Sequence, residues 1–544
     1  MARRRGGRAP DSTSVTVPAP VGGLNDRDPI INMPATDALI LDNWWPEPGR
    51  VTIRKGSLMH VSDLLGPVET LVSYWPEDGD ARILAASDGA IYDVTYNQTE
   101  SVDMFSKVDE GDYFAFDDDD PIMFGSFDAS ALISGLSNSR FQVAETTTAG
   151  GSFQLWMNGQ DHALLFDGDS FTEIDDQSTP AITGVDTSDL IDGTVFKNRL
   201  YLVEKNSMSL WYLPVSSISG EAKDIPMGGI FRRGGHIVTV QPWTIDAGEG
   251  ADDMLVVLSS NGEAAVFAGF DPEDASSWRL VGVFYIGRPV GQRPCIKFGG
   301  DLLIICEDGV FPLSGALQSA SVDGRVAITD KIQNTIRQSV RSYGNEFGWQ
   351  LCASPVNSAL ILNVPDNQGN IVQYLQNTLT GAWTKFTGWN ALCWVDTPMG
   401  LFFGAQNGSI YKAWESNTDS GKYIKADGCQ AFSAYGSAST EKYFNLFKPY
   451  IESTGSPSIT YAFCGDFVVI KPDGELSYTP SDGMVWNNMV WGSMVWGGST
   501  RQIYDWRAIG LIAKTGAPRI EVQNNGSSVS WAATDVMYSR GWHL

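Results

Sequence analysis

Short apolar runs of strand length recur along this chain, each broken by a Gly, Asn or Asp turn and answered by a second apolar run. Ile83-Leu84-Ala85-Ala86-Ser87-Asp88-Gly89-Ala90-Ile91-Tyr92 is one copy, and Leu302-Leu303-Ile304-Ile305-Cys306-Glu307-Asp308-Gly309-Val310-Phe311 is another. Asp-Gly or Asn-Gly between strand-like runs signals a hairpin, because the tight turn needs left-handed backbone that these residues adopt at little cost. Turn centres fall near Asp88, Asp167, Asn206, Asn261, Asp308, Asn367 and Asn407. The first gap is the widest, and Phe114-Ala115-Phe116-Asp117 to Asp120-Pro121-Ile122-Met123-Phe124 reads as a strand–turn–strand that splits it. Spacings of roughly 30 to 60 residues match four-stranded propeller blades of ~40–50 residues. Arg199-Leu200-Tyr201-Leu202-Val203 and Leu255-Val256-Val257-Leu258 read as buried central strands. The pattern therefore predicts an all-β chain, with an irregular β-propeller of about 6–8 blade-like units over residues 60–415.

The flanks read differently. Residues 1–20 are Arg-, Gly-, Ser- and Pro-rich and predict a mobile basic arm. Residues 21–59 predict an extended strap, since Pro29, Pro34, Pro46 and Pro48 break any long helix or central strand. A short helical turn fits residues 36–41. Leu39, Leu41, Trp44 and Trp45 are its apolar anchors. Within the propeller, Ile332, Ile336 and Val340 share one helical face over residues 328–341, with Thr329 or Asp330 to cap the start. That helix is expected to pack against the propeller rim. Residues 416–544 predict a smaller C-terminal β-rich domain, with strands near 429–435, 461–463, 467–470, 503–511 and 519–522. It contains Met484-Val485-Trp486, Met489-Val490-Trp491 and Met494-Val495-Trp496. A five-residue period fits neither helix nor strand, so a loop presenting Trp486, Trp491 and Trp496 is expected, either over a satellite apolar cluster or at a subunit contact.

Composition bounds the function. The net charge is −27, but residues 1–56 sum to +2, so the remainder carries −29. So acidic a chain does not grip nucleic acid by a broad basic surface. The six cysteines at 295, 306, 352, 393, 429 and 464 include no Cys-x-x-Cys and read as buried, reduced packing residues. The basic start has no apolar stretch behind it, so no secretory signal is expected, and no run is long enough to span a membrane. Neither a P-loop nor a Gly-x-Ser-x-Gly is present, and His60, His162, His236 and His543 have no metal-ligand spacing. Asp117-Asp118-Asp119-Asp120 lacks the spacing of a calcium loop. No catalytic, cofactor or metal residue is selected, and no enzyme activity is expected.

The strap carries a resemblance. Gly22-Gly23-Leu24-Asn25-Asp26-Arg27-Asp28-Pro29, Met33-Pro34-Ala35-Thr36-Asp37-Ala38 and Leu41-Asp42-Asn43-Trp44-Trp45-Pro46-Glu47-Pro48-Gly49-Arg50-Val51 resemble the opening of short-tailed bacteriophage nozzle proteins (tail tubular protein B-like) or DNA stabilisation tail proteins. Asn377-Thr378-Leu379-Thr380-Gly381-Ala382-Trp383 and the Trp repeat are similar to later points of that group. The resemblance implies a structural virion protein of the tail, made in the bacterial host cytoplasm. It implies a homo-oligomeric ring, a hexamer, that contacts a tail adaptor and other tail proteins. Genomic DNA would be retained and then conducted through its lumen without tight binding, which an acidic wall favours at a range of ~10 Å. Leu41, Trp44, Trp45, Pro46, Arg50, Trp486, Trp491 and Trp496 are then the candidate subunit or adaptor interface. The alternative is a propeller-type tail protein that binds or hydrolyses host-surface carbohydrate.

Overall fold

The computed structural model describes residues 12–76, 80–95, 130–246, 251–274, 276–318, 327–366, 369–476 and 501–540. Four-stranded antiparallel sheets follow one another along the chain. The first blade holds Val68–Tyr74, Arg82–Ser87, Ala90–Asp93 and Ile133–Ser134. The second holds Gln142–Thr148, Gly151–Met157, Ala163–Phe166 and Phe171–Ile174. The third runs from Leu190–Phe196 to Lys223–Pro226, and the fourth from Ile237–Asp246 to Trp278–Tyr285. A three-stranded sheet, Cys295–Phe298, Asp301–Cys306 and Gly309–Pro312, comes next. The fifth blade runs from Gln350–Ser354 to Trp383–Phe386. The sixth combines Ala391–Thr397, Gly400–Ala405 and Ile410–Ala413 with Ser57–Val61 from the start of the chain. This last pairing, Ile410 on Val61 through Ala413 on Ser57, closes the propeller. The expected all-β propeller of 6–8 units is what the chain forms.

The hairpin pattern marked mainly the turn between the second and third strands of each unit. Asp88 and Asn206 have positive φ of 47° and 56°, which is why these turns carry Asp and Asn. A Cβ at Gly89 (φ 71°) would lie 2.3 Å from the Leu136 carbonyl oxygen, so only glycine fits there. The run placed at residues 114–124 lies outside the described residues. The hairpin that fills the wide gap is Gln142–Thr148 with Gly151–Met157.

The C-terminal region is a two-sheet body. A seven-stranded sheet contains Lys442–Ser453 and Val529–Arg540, and the opposing strands are Ile424–Gln430, Gly516–Asn524 and Ser458–Gly465. Trp44, Ile451, Val529 and Trp531 from one sheet meet Leu41, Ile424, Ile459, Ile520 and Val522 from the other in one core. Residues 467–470 form a loop here, not the expected strand.

Two expectations for the amino-terminal region are corrected. Ser12–Pro18 is a strand paired with Val529–Arg540, not part of a mobile arm, because its β-branched run finds a free sheet edge. The helical turn expected over residues 36–41 is instead the strand Asp37–Asp42, because Ala38 and Leu41 enter the core while the backbone pairs with Ile424–Gln430. Pro46 is tolerated in Trp44–Glu47 because that strand ends its sheet. The expected helix exists as a 3-10 turn, Asp330–Ile332, continued by the α-helix Gln333–Tyr343, with Ile332 and Ile336 buried. Among the described residues no helix is long and apolar enough to cross a membrane.

Candidate interaction site

The strap is the seam of the molecule. Asp37–Asp42 lies between the fifth blade, touched through Asp42 and Lys385, and the C-terminal strand Ile424–Gln430. Its opening glycines are forced by space. A Cβ on Gly22 would lie 2.0 Å from Asp37 Oδ1, and one on Gly23 (φ 84°) would lie 2.6 Å from the Trp383 carbonyl oxygen. The Lys331 ammonium donates to Gly22 O and to Asp37 Oδ1, both at 2.9 Å. Asn25 Nδ2 donates to Asp37 Oδ2 and Asp28 Oδ2, while its Oδ1 accepts the amides of Arg27 and Asp28. Asp26 caps the helix Gln333–Tyr343 from outside, accepting the amides of Asn334 (3.2 Å) and Thr335 (2.6 Å). A carboxylate suits those unpaired amides and the positive end of the helix dipole. Of the two expected caps, Thr329 and Asp330, Thr329 makes no side-chain capping bond and instead accepts the amide of Val310.

Further along, Asn43 (φ 59°) joins the bodies, donating to Thr387 Oγ1 and Lys425 O. Arg54 is buried and uses all five of its donors. Nε donates to Asn43 Oδ1, the terminal nitrogens to both oxygens of Asp419 (2.8 and 2.6 Å), and the rest to Lys55 O and Thr387 O. The guanidinium also lies 4.7 Å over the Trp389 ring. Burial pushes the Asp42 carboxyl above the ordinary carboxylate range, and Lys385 opposes that rise.

This geometry corrects part of the expected interface. Leu41 and Trp44 are fully buried, and Trp44 meets Trp531 edge-on at 6.0 Å. Trp45 packs on Phe386 and Trp414, and Pro46 is buried with its carbonyl accepting from Asn377 Nδ2. Their apolar surface is spent within the chain. Arg50 is exposed and pairs with Glu47 at 3.1 Å. Trp486, Trp491 and Trp496 lie outside the described residues, as do His543 and Asp117-Asp118-Asp119-Asp120. Two of the other three histidines have side-chain partners within the fold, and the third, His236, is half-buried. His60 is buried beside Val94 O and Phe402, His162 bonds Thr187 Oγ1, and the His236 amide donates to Ser260 Oγ. All six cysteines are free, five of them buried and Cys295 half-buried. Among the described residues no group of three or more His, Cys, Asp or Glu stands where it could hold a metal.

Two features were not singled out from the sequence. Arg293 reaches across the propeller's axial end, where the two hydrogens of Nη2 face Thr70 Oγ1 (2.8 Å) and Phe141 O (3.0 Å) of the first two blades, with Glu69 O nearby at 3.2 Å. Gln142 Nε2 donates to Gln292 O at the same level. The second is a groove of about 690 Å³ beside the strap hairpin, lined by Trp45, Pro48, Arg50, Val356, Leu379 and Glu452 among others. Only the Pro-Val-Asn and Thr-Leu-Thr-Gly turn sequences hinted that Val356 and Leu379 sit at exposed turns.

No family model matches the chain, and no curated protein matches it in sequence. Solved structures similar to it are propellers at low identity. The Myceliophteria thermophila Cps50 (Swd1) β-propeller domain shares 11% identity at a TM-score of 0.38, over 66% of this chain and 99% of its own. BBS1N in complex with ARL6DN shares 10% at 0.37, over 68% and 99%. YCF48 bound to D1 peptide shares 10% at 0.33, over 70% and 99%.

Proposed function

We propose that this chain is a structural tail protein of a short-tailed bacteriophage, a nozzle subunit whose homo-oligomeric ring closes the tail tube, holds the packaged DNA and conducts it during ejection. The observation that supports this reading best is the strap. The segment that resembles nozzle proteins is the one that joins propeller to C-terminal body, through Asn43 to Thr387 and Lys425 and through Arg54 to Thr387 and Asp419. A subunit that carries load in a tail needs its bodies fixed to each other. The axial end of the propeller is crossed by Arg293, so the duplex would travel along the ring axis between subunits, not through a blade bore. A net charge of −27 suits a wall that DNA slides past. Electron microscopy of the purified protein and of particles tests this. The expected image is a six-fold annulus with a bore wide enough for duplex DNA. A protein that stays monomeric on its tail adaptor, with measurable glycan binding, would favour the carbohydrate-binding alternative.

A further inference from the structure

A small cavity opens at the axial end of the propeller away from Arg293. Val68–Tyr74, Gln142–Thr148 and Leu190–Phe196 are the first strands of the first three blades. Arg293 meets this layer near the strand starts, at Thr70 and Phe141. The cavity lies toward the far ends, where Tyr74, Trp75, Glu145, Phe153, Val195 and Asn198 line it together with neighbouring hydroxyls. Its volume is about 200 Å³. Sites for whole small molecules run to about 300–1,000 Å³, so this one fits a ligand of side-chain size.

Among the described residues that line it, Glu145 alone is charged. Gln154 fixes one of its oxygens, with Nε2 donating to Glu145 Oε1 at 2.7 Å. Gln154 is itself fully buried and held, since its Nε2 also donates to Ser73 O and its Oε1 accepts from Trp156 Nε1. Among the described residues nothing donates to Glu145 Oε2, and no cation pairs with the carboxylate. The basic side chains beside the lining are already committed. Arg82, opposite Tyr74 in its sheet, pairs with Asp93 and Asp169, and Lys197, next to Asn198, pairs with Asp253. The walls are aromatic. Trp75 is 44% exposed, and Tyr74 is fixed by its hydroxyl, which donates to Ser152 O at 2.8 Å. A carboxylate beside an open indole face selects an organic cation, through a charge-assisted hydrogen bond and attraction to the ring. A sugar hydroxyl would satisfy a Glu145 oxygen but leave its charge unpaired. Guanidinium suits the walls better than ammonium, because it is planar, stacks on aromatic faces and is weakly hydrated.

We propose that this cavity receives an arginine side chain of a partner polypeptide, with the guanidinium against Glu145 and Trp75. The proposal does not depend on the ring reading above. The probe is N-acetyl-arginine amide, titrated by calorimetry at low salt into the full chain, with N-acetyl-citrulline amide as its uncharged isostere. The arginine probe should bind with a dissociation constant on the order of 1 mM, as one charge-assisted bond and one ring contact allow. The citrulline probe should bind at least ~10-fold more weakly. Glu145→Gln and Trp75→Ala should each weaken arginine binding about 10-fold. Melting temperatures should stay unchanged, since both side chains are exposed. Equal binding of the two probes, or arginine binding that survives either substitution, overturns the proposal. So does an absence of heat at about 20 mM arginine probe, ~20-fold above the expected constant. Binding of methyl glucoside that Trp75→Ala abolishes, with no response to the arginine probe, assigns the cavity to a sugar and overturns the proposal as well.

Discussion

Two side chains show how buried charge is used differently in this molecule. Asp192, on the inner strand of the third blade, is buried, and its Oδ2 accepts the amide of Val240 from the fourth blade. Burial pushes its pKa up to about 6, against the pull of the Thr239, Val240 and Gly193 donors. The folded state therefore holds the proton more tightly than the unfolded chain does. This group's stabilisation is fully present below the ordinary carboxylate pKa and is lost as pH rises through about 6. The loss amounts to about 3 kcal/mol by neutral pH. Urea unfolding of wild type and Asp192→Asn from pH 4 to pH 7.5 should show the wild type losing that increment relative to the variant. Parallel profiles would remove the assignment. Arg54 is the opposite case, a buried cation with every donor used and a carboxylate partner in Asp419. Arg54→Met leaves Asp419 without its partner and should cost about 3–5 kcal/mol, read as a fall in the urea midpoint at constant slope.

Among elements, the strap decides most. Gly23→Ala would force a Cβ against the Trp383 backbone from a left-handed conformation, and should cost more than about 1 kcal/mol. Trp44→Ala empties a site against Trp531 and should cost about 3–5 kcal/mol. Trp44→Ala with Trp45→Ala is thus expected to lower soluble yield and melting temperature. Arg50→Ala, on the exposed hairpin tip, should stay within about 0.5 kcal/mol. Equal melting temperatures for all four would contradict the placement of these side chains. The sequence carried much of this scaffold and little of the seam. Second and third strands of the blades were legible because they are apolar throughout and meet at turns that need Asp, Asn or Gly. Gln142–Thr148 was not, since Gln142, Glu145 and a run of three threonines give it a polar face with no turn residue before Ala149-Gly150. Lys442–Ser453 and Val529–Arg540, the longest strands, were missed although their burial nearly alternates, because Lys448, Pro449 and Asp535 interrupt the apolar pattern. The strap residues were conspicuous as anchors. What they anchor to depends on strands hundreds of positions away, as Asn43 to Lys425 shows, and local pattern holds no record of that.

At the scale of the whole molecule, the propeller and the C-terminal body are coupled mainly through residues that precede both. The strand order passes from Trp383–Phe386 through Asp37–Asp42 to Ile424–Gln430. The Thr384 hydroxyl has Leu41 O (2.8 Å) and Trp44 O (2.6 Å) within reach of its one proton, and Asn377 Nδ2 donates to Pro46 O, so the fifth blade grips the strap backbone directly. Closure of the propeller uses Ser57–Val61, which begins in the last residues of the strap. Removing residues 1–56 should therefore leave the propeller closed while it uncouples the two bodies. Intact protein is expected to unfold in one calorimetric transition, because cooperative units share the core around Trp44, Leu41 and Trp383. The truncated chain is expected to show two, the C-terminal one at lower temperature, since Trp531 and Ile451 lose the cover of Trp44 and Val51. A single transition after truncation, at a temperature close to that of the intact chain, would mean that the bodies hold each other without the strap. The bracing role proposed for it in a tail ring would then have no mechanical basis.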